Sequence, residues 1–163
     1  MTIDELQILR QAILNEQEGY DFYSLAAAQT DLEEAREAFG QLAAEELKHI
    51  EWLRDLYGKI KANDPESFDL SKVEQPPAPG LYDWQNIGRE SGSLAVSVFG
   101  IGINMEKAAI DFYSRAAEKT QLPAARELYK ILIRWENQHL EQFQQDYDTL
   151  REEWWEKQGF TPS

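Results

Sequence analysis

LAAEELKHIEWL, residues 42–53, and RWENQHLEQF, residues 134–143, each place a histidine three positions after a glutamate. His49 and His139 are the only histidines in the chain, and Glu46 and Glu136 precede them at the same offset. On a helix, residues i and i+3 lie about 60° apart around the axis, so both side chains of a pair can turn to one point. Carboxylate and neutral imidazole together suit iron, manganese or zinc; a hard-oxygen calcium site would not recruit histidine.

The two stretches are copies. A shift of 90 residues lays EQEGYDFYSLAAAQT (16–30) over EKAAIDFYSRAAEKT (106–120), EAREAF over AARELY, and Tyr57 over Tyr147. Between residues 16 and 57 the register holds 17 identities in 42 positions without a gap. Glu16 maps to Glu106, Glu46 to Glu136 and His49 to His139. Each half therefore supplies a lone glutamate and, 30 residues later, a Glu-x-x-His. Six ligands suit two metal ions with bridging carboxylates and open positions. Four carboxylates neutralise two divalent cations, moving the formal charge from −14 to −14 + 4 = −10. Without metal, four buried glutamates would cost several kcal/mol per unpaired charge or take up protons. Metal removal is therefore expected to soften the fold.

Around this motif the chain reads as helix. Apolar positions recur near the helical period at Leu6, Leu9, Ile13, Tyr20 and Phe22–Tyr23, and again at Ala35, Phe39, Leu42, Ile50, Leu53 and Leu56. Asp31 is placed to cap a second helix, and Ser91 or Ser93 a third reaching about Lys119. Pro123 suits the first turn of a fourth, ending near Lys157. Residues 58–84 hold four of the six prolines, which marks a connection. Two copies are too few for a solenoid. The expectation is an all-α four-helix bundle in one domain, 1–163: a helix pair over 3–60, a crossover linker over 61–90, and a helix pair over 91–157. A linker of about 30 residues can span the length of a helix of about 28 residues, roughly 42 Å. Exchange of helix pairs in a domain-swapped dimer fits the same pattern. Gly100 and Gly102 weaken helix three and point to close helix approach or a local distortion.

Composition narrows the function. The hydrophobic fraction of 42% supports a packed core despite the charge of −14. That acidity argues against nucleic acid and anionic membrane surfaces and is compatible with cations. No apolar run approaches a membrane span, and the start lacks a signal peptide's pattern. The absence of cysteine excludes disulfides, thiolate nucleophiles and Cys-ligated clusters. A cytoplasmic location is expected.

Glu, then Glu-x-x-His, repeated across a long crossover, resembles the ferritin-like di-iron carboxylate proteins, whose ligand set is of this kind. EQEGYDFYSLAA, LAAEELKHIEWL and MEKAAIDFYSRAA are most similar to rubrerythrin-type proteins, over roughly 1–60 and 90–150. The resemblance implies a ferritin-like bundle holding two iron ions, with manganese or zinc as alternatives, on Glu16, Glu46, His49, Glu106, Glu136 and His139. It further implies that Tyr23 and Tyr113 hydrogen-bond the ligand carboxylates. Two departures stand out. The family carries a cysteine-rich electron-transfer domain whereas this sequence has no cysteine, so reduction is expected to call for an external donor protein. The family's extra glutamate, one turn after the third-helix ligand, is Ala109 here, with Gly19 as its repeat mate.

The implied activity is an oxidoreductase that reduces peroxide or dioxygen, of the kind used against oxidative stress. The alternatives are an iron-oxidising storage protein and a non-catalytic helical module with a relic site. Glu45, Glu51 and Glu141 read as solvated helix charges. Trp135 reads as a packing residue, with electron relay as the other role. Trp154 and Trp155 in the EEWWEKQGF tail read as packing or self-association, consistent with a homodimer.

Overall fold

The computed structural model describes residues 2–77 and 88–157. Its four long helices are α1 (Thr2–Gln29), α2 (Glu33–Lys61), α3 (Gly88–Lys119) and α4 (Pro123–Lys157). No strand occurs among the described residues.

One buried stripe runs along each helix. On α1 and into the turn after it, this stripe is Glu5, Leu9, Ala12, Glu16, Gly19, Tyr23, Ala26 and Thr30, at alternating steps of four and three. On α3 and into the turn after it, the same stripe returns 90 residues later as Phe99, Gly102, Glu106, Tyr113, Ala116 and Thr120, with half-buried Ala109 between them. The stripes of α2 and α4 follow the same alternation through Phe39, Leu42, Glu46, His49, Leu53 and through Tyr129, Leu132, Glu136, His139, Phe143. Steps averaging 3.5 keep each seam facing the bundle axis, which is how antiparallel four-helix bundles pack.

The glutamates and histidines occupy the middle of these stripes and divide the core. Leu9, Leu53, Leu56, Tyr113, Leu128 and Tyr129 belong to the apolar cluster on one side. Tyr23, Phe39, Leu42, Val98, Phe99 and Phe143 belong to the cluster on the other. Because α1 and α4 begin where α2 and α3 end, the crossover must return the chain along the bundle. Its first part does so against α2 and α4. Phe68 and Val73 are buried, Trp135 Nε1 donates to the Glu74 carbonyl at 2.9 Å, and Arg134 Nε donates to Gln75 Oε1 at 3.1 Å.

The duplicated sequence also builds duplicated turns. Thr30 Oγ1 accepts from the Leu32 N–H at 3.3 Å, and Thr120 Oγ1 from the Leu122 N–H at 3.1 Å. Arg36 and Arg126 each reach back to the carbonyl of their threonine, at 3.3 and 2.6 Å. Threonine, leucine and arginine are identities of the repeat. These bonds displace the expected cap: Leu32, not Asp31, occupies the N-cap of α2, with no side-chain cap bond. At α3 the helix begins at Gly88, so Ser91 and Ser93 lie inside it. Pro123 opens α4 as expected.

Gly100 and Gly102 mark close approach rather than a break, because α3 is continuous through them. A Cβ on Gly102 would lie 3.0 Å from Phe143 Cε2, and one on Gly100 3.3 Å from Tyr147 Cε2.

Candidate metal centre

All four helices contribute to the polar layer. Glu16 comes from α1, Glu46 and His49 from α2, Glu106 from α3, and Glu136 and His139 from α4; all are buried. One chain suffices to bring the six together. They form two overlapping groups, Glu16–Glu46–His49–Glu136 and Glu46–Glu106–Glu136–His139, each offering ligand atoms within 4.8 Å of one another. Glu46 and Glu136 belong to both groups. Each group adds one lone glutamate and one histidine of its own.

Both imidazoles turn the same nitrogen inward. His49 Nδ1 lies 3.3 Å from Glu16 Oε2 and 3.5 Å from Glu136 Oε1. His139 Nδ1 lies 3.5 Å from Glu106 Oε1 and 3.9 Å from Glu136 Oε2. Tyr23 donates to Glu106 Oε1 at 2.9 Å, and Tyr113 to Glu16 Oε1 at 2.7 Å. Each tyrosine thus bonds the lone glutamate of the opposite half. Burial, followed by the charge of the carboxylate it serves, pushes each phenol well above its usual range, so both remain donors.

Packing four carboxyls together spreads their protonation. Burial would raise Glu16, but the charge of His49 and hydrogen bonds from Glu46, His49 and Tyr113 override it and hold the group at about 2. Burial and the charge of neighbouring Glu16 push Glu46 well above the carboxylate range. Like charges at this spacing do not both ionise, so Glu46 keeps a proton and shares it with Glu16. Burial pulls His139 down, yet its close contacts with the carboxylates of Glu106 and Glu45, and their charges, raise it to about 10.

A cation set fits this layer. His139 Nδ1, Glu106 Oε2 and Glu136 Oε1 are buried and lack a hydrogen-bond partner among the described residues. Buried polar atoms are seldom left so, since each costs about 1–3 kcal/mol. All three residues belong to the group Glu46–Glu106–Glu136–His139. Two nitrogens and four carboxylates also form the donor set that iron, manganese and zinc accept. A cavity of about 170 Å³ adjoins the layer on its α1–α3 side, lined by Glu16, Gly19, Glu46, Glu106, Ala109 and Tyr113 among others.

Sequence reasoning misplaced one residue here. Glu45 is buried, not solvated, and its Oε2 lies 2.7 Å from His139 Nε2. The available signal was the repeat itself, which sets Glu45 over Trp135 and so breaks the duplication beside a candidate ligand. Glu51 and Glu141 are exposed as expected. Trp135 packs edge-on against His49 at 5.1 Å and tilted against Trp52 at 6.2 Å. Trp155 is exposed, whereas the end of the tail and the Trp154 side chain lie outside the described residues. Glu5, which no motif flagged, is buried beyond the layer and accepts from Tyr129 Oη at 2.5 Å and from Thr120 Oγ1.

The bundle, its return crossover and its buried glutamate–histidine layer define a ferritin-like protein with a site able to bind metal. A model of the rubrerythrin family matches residues 7–147, which takes in all six candidate ligands. The chain belongs to the rubrerythrin family. No curated protein and no solved structure matches it significantly. No helix among the described residues is long and apolar enough to cross a membrane.

Proposed function

We propose that the six residues hold two iron ions and that the protein is an oxidoreductase reducing peroxide or dioxygen with electrons from a separate donor protein. The observation that carries this reading is the sharing of Glu46 and Glu136 between two otherwise separate groups. Shared carboxylates would bridge the ions, while Glu16 with His49 and Glu106 with His139 would complete one position each. The bound pair would supply electrons to, and polarise, an O–O bond.

The chain's own residues supply the rest. Tyr23 and Tyr113 fix the lone carboxylates, one oxygen each, so the other faces the layer. Glu46 and His139 accept protons when the site is empty and give them up when charge arrives. The adjoining cavity has room for a few water-sized molecules, at about 30 Å³ each, and none for a protein partner. Gly19 and Ala109 keep it open where the family's extra glutamate would intrude. A small oxidant fits; the donor must act from outside. We place the protein as a homodimer, which elution volume tests directly.

Metal quantification, followed by anaerobic Fe(II) loading and exposure to peroxide or air, tests the proposal. Two ions per chain, reoxidation within the mixing experiment and turnover with added reductant are expected. Replacing Glu46 and Glu136 together by alanine should remove both the metal and the absorbance change. Two metals retained in that variant would overturn the ligand set. Elution as a large cage that mineralises iron would instead establish storage.

A further inference from the structure

The duplication gives the site an internal control. Residues 45 and 135 are repeat mates, each immediately before a shared glutamate, and they differ completely in chemistry. On one side Glu45 Oε2 lies 2.7 Å from His139 Nε2, and both side chains are buried. A carboxylate at that distance accepts from Nε2–H, so once His139 is neutral its remaining hydrogen sits on Nε2 and the Nδ1 lone pair faces Glu106 and Glu136. On the other side His49 presents Nδ1 in the same sense, but its Nε2 is buried with no hydrogen-bond partner among the described residues. Trp52 and Trp135 flank that ring, at 5.4 and 5.1 Å between centroids. The indole N–H of Trp135 points away to the Glu74 carbonyl, at 2.9 Å. One histidine thus has a carboxylate behind its outer nitrogen, and its twin has only packing there.

We infer that Glu45 is a positioning residue that makes the two cation positions unequal, the one served by His139 binding first and more tightly. A carboxylate behind a ligand histidine raises its basicity and orients its ring, and loss of such a partner typically costs about 10- to 100-fold in metal affinity. The inference rests on the ligand set proposed above. It adds that the pseudo-twofold site is ordered rather than symmetric, so a half-loaded protein is a defined species.

The test uses the full chain, stripped of metal and titrated with Co(II) alone, read by visible absorption and by competition with a chelator. Wild type should load in two steps separated by about 10- to 100-fold. Glu45→Ala should weaken the tighter step by that factor and leave the other in place, merging the two. Glu45→Gln keeps an oxygen that accepts from Nε2–H but removes the charge, so it should weaken the same step by less. Melting of the metal-free variants by circular dichroism reports folding separately, and the glutamine variant carries the test if the alanine variant unfolds. Two equal steps in wild type would overturn the inference. So would substitutions at 45 that weaken both steps alike, or neither. Wild type taking up no cobalt would instead overturn the ligand set beneath it.

Discussion

A methyl group on Gly19 would stand 3.1 Å from Glu46 Oε2, closer than side chains ordinarily approach. The atom it meets ends a flexible side chain, so the carboxylate would move rather than the helix. Glycine in a helix interior costs up to about 1 kcal/mol relative to alanine. Gly19→Ala should therefore leave the metal-free protein as stable or more so, while displacing a carboxylate shared by both groups and weakening cation binding. Thermal melting without metal and Co(II) titration, run on one preparation, separate the two effects. Unchanged binding would show that Glu46 does not contribute a shared ligand. At this scale the motif residues were legible because each is polar at a position where the stripe requires burial. Glu45 and Glu5 were not, because what buries them is remote: His139 is 94 residues away, Tyr129 is 124. A single glutamate among many carries no mark of such a partner.

Helices were read more securely than their ends. The alternation of three and four is written into the apolar positions, and the 90-residue register doubles every vote. The starts of α2 and α3 were missed because local capping chemistry did not decide them. Thr30 and Arg36 shape the first turn through bonds across it, and α3 extends upstream of both serines. The glycines of α3 test the packing that results. Phe143 is buried among Tyr23, Phe99 and His139, so it has little room to retreat from a methyl on Gly102. Overpacking of this kind costs about 1–3 kcal/mol, against a propensity gain of up to about 1. Gly102→Ala should thus be net destabilising by about 1 kcal/mol. Gly100 faces the half-buried Tyr147, which can swing outward, so Gly100→Ala should be neutral or mildly stabilising. Denaturant midpoints of the two variants check the contrast, and the opposite order would contradict the packing described.

For the molecule as a whole, the polar layer couples folding, protons and metal. A group whose folded pKa is raised stabilises the fold below its unfolded value and loses that contribution as pH climbs through the folded one. His139, raised from 6.5 to about 10, behaves so in the metal-free protein, and Glu46 follows the same sign from 4.5 upward. Glu16 runs the other way: held at about 2, its contribution is present above 4.5 and fades as pH falls toward 2. On the proposed ligand set, metal needs His139 neutral and Glu46 ionised, so binding should expel the protons the metal-free layer holds. At pH 7 His139 alone should release close to one proton per chain, and apparent affinity should rise as pH moves from 6.5 toward 10. Calorimetric titration in buffers of different ionisation enthalpy reads the proton count directly. Each position saturated at 100 times its dissociation constant should then add about 2.7 kcal/mol to stability, so melting with and without Co(II) tests the same coupling from the folding side. Binding heats that do not depend on the buffer would mean that His139 is already neutral in the empty bundle, and that charge balance in this layer is struck among the carboxylates alone.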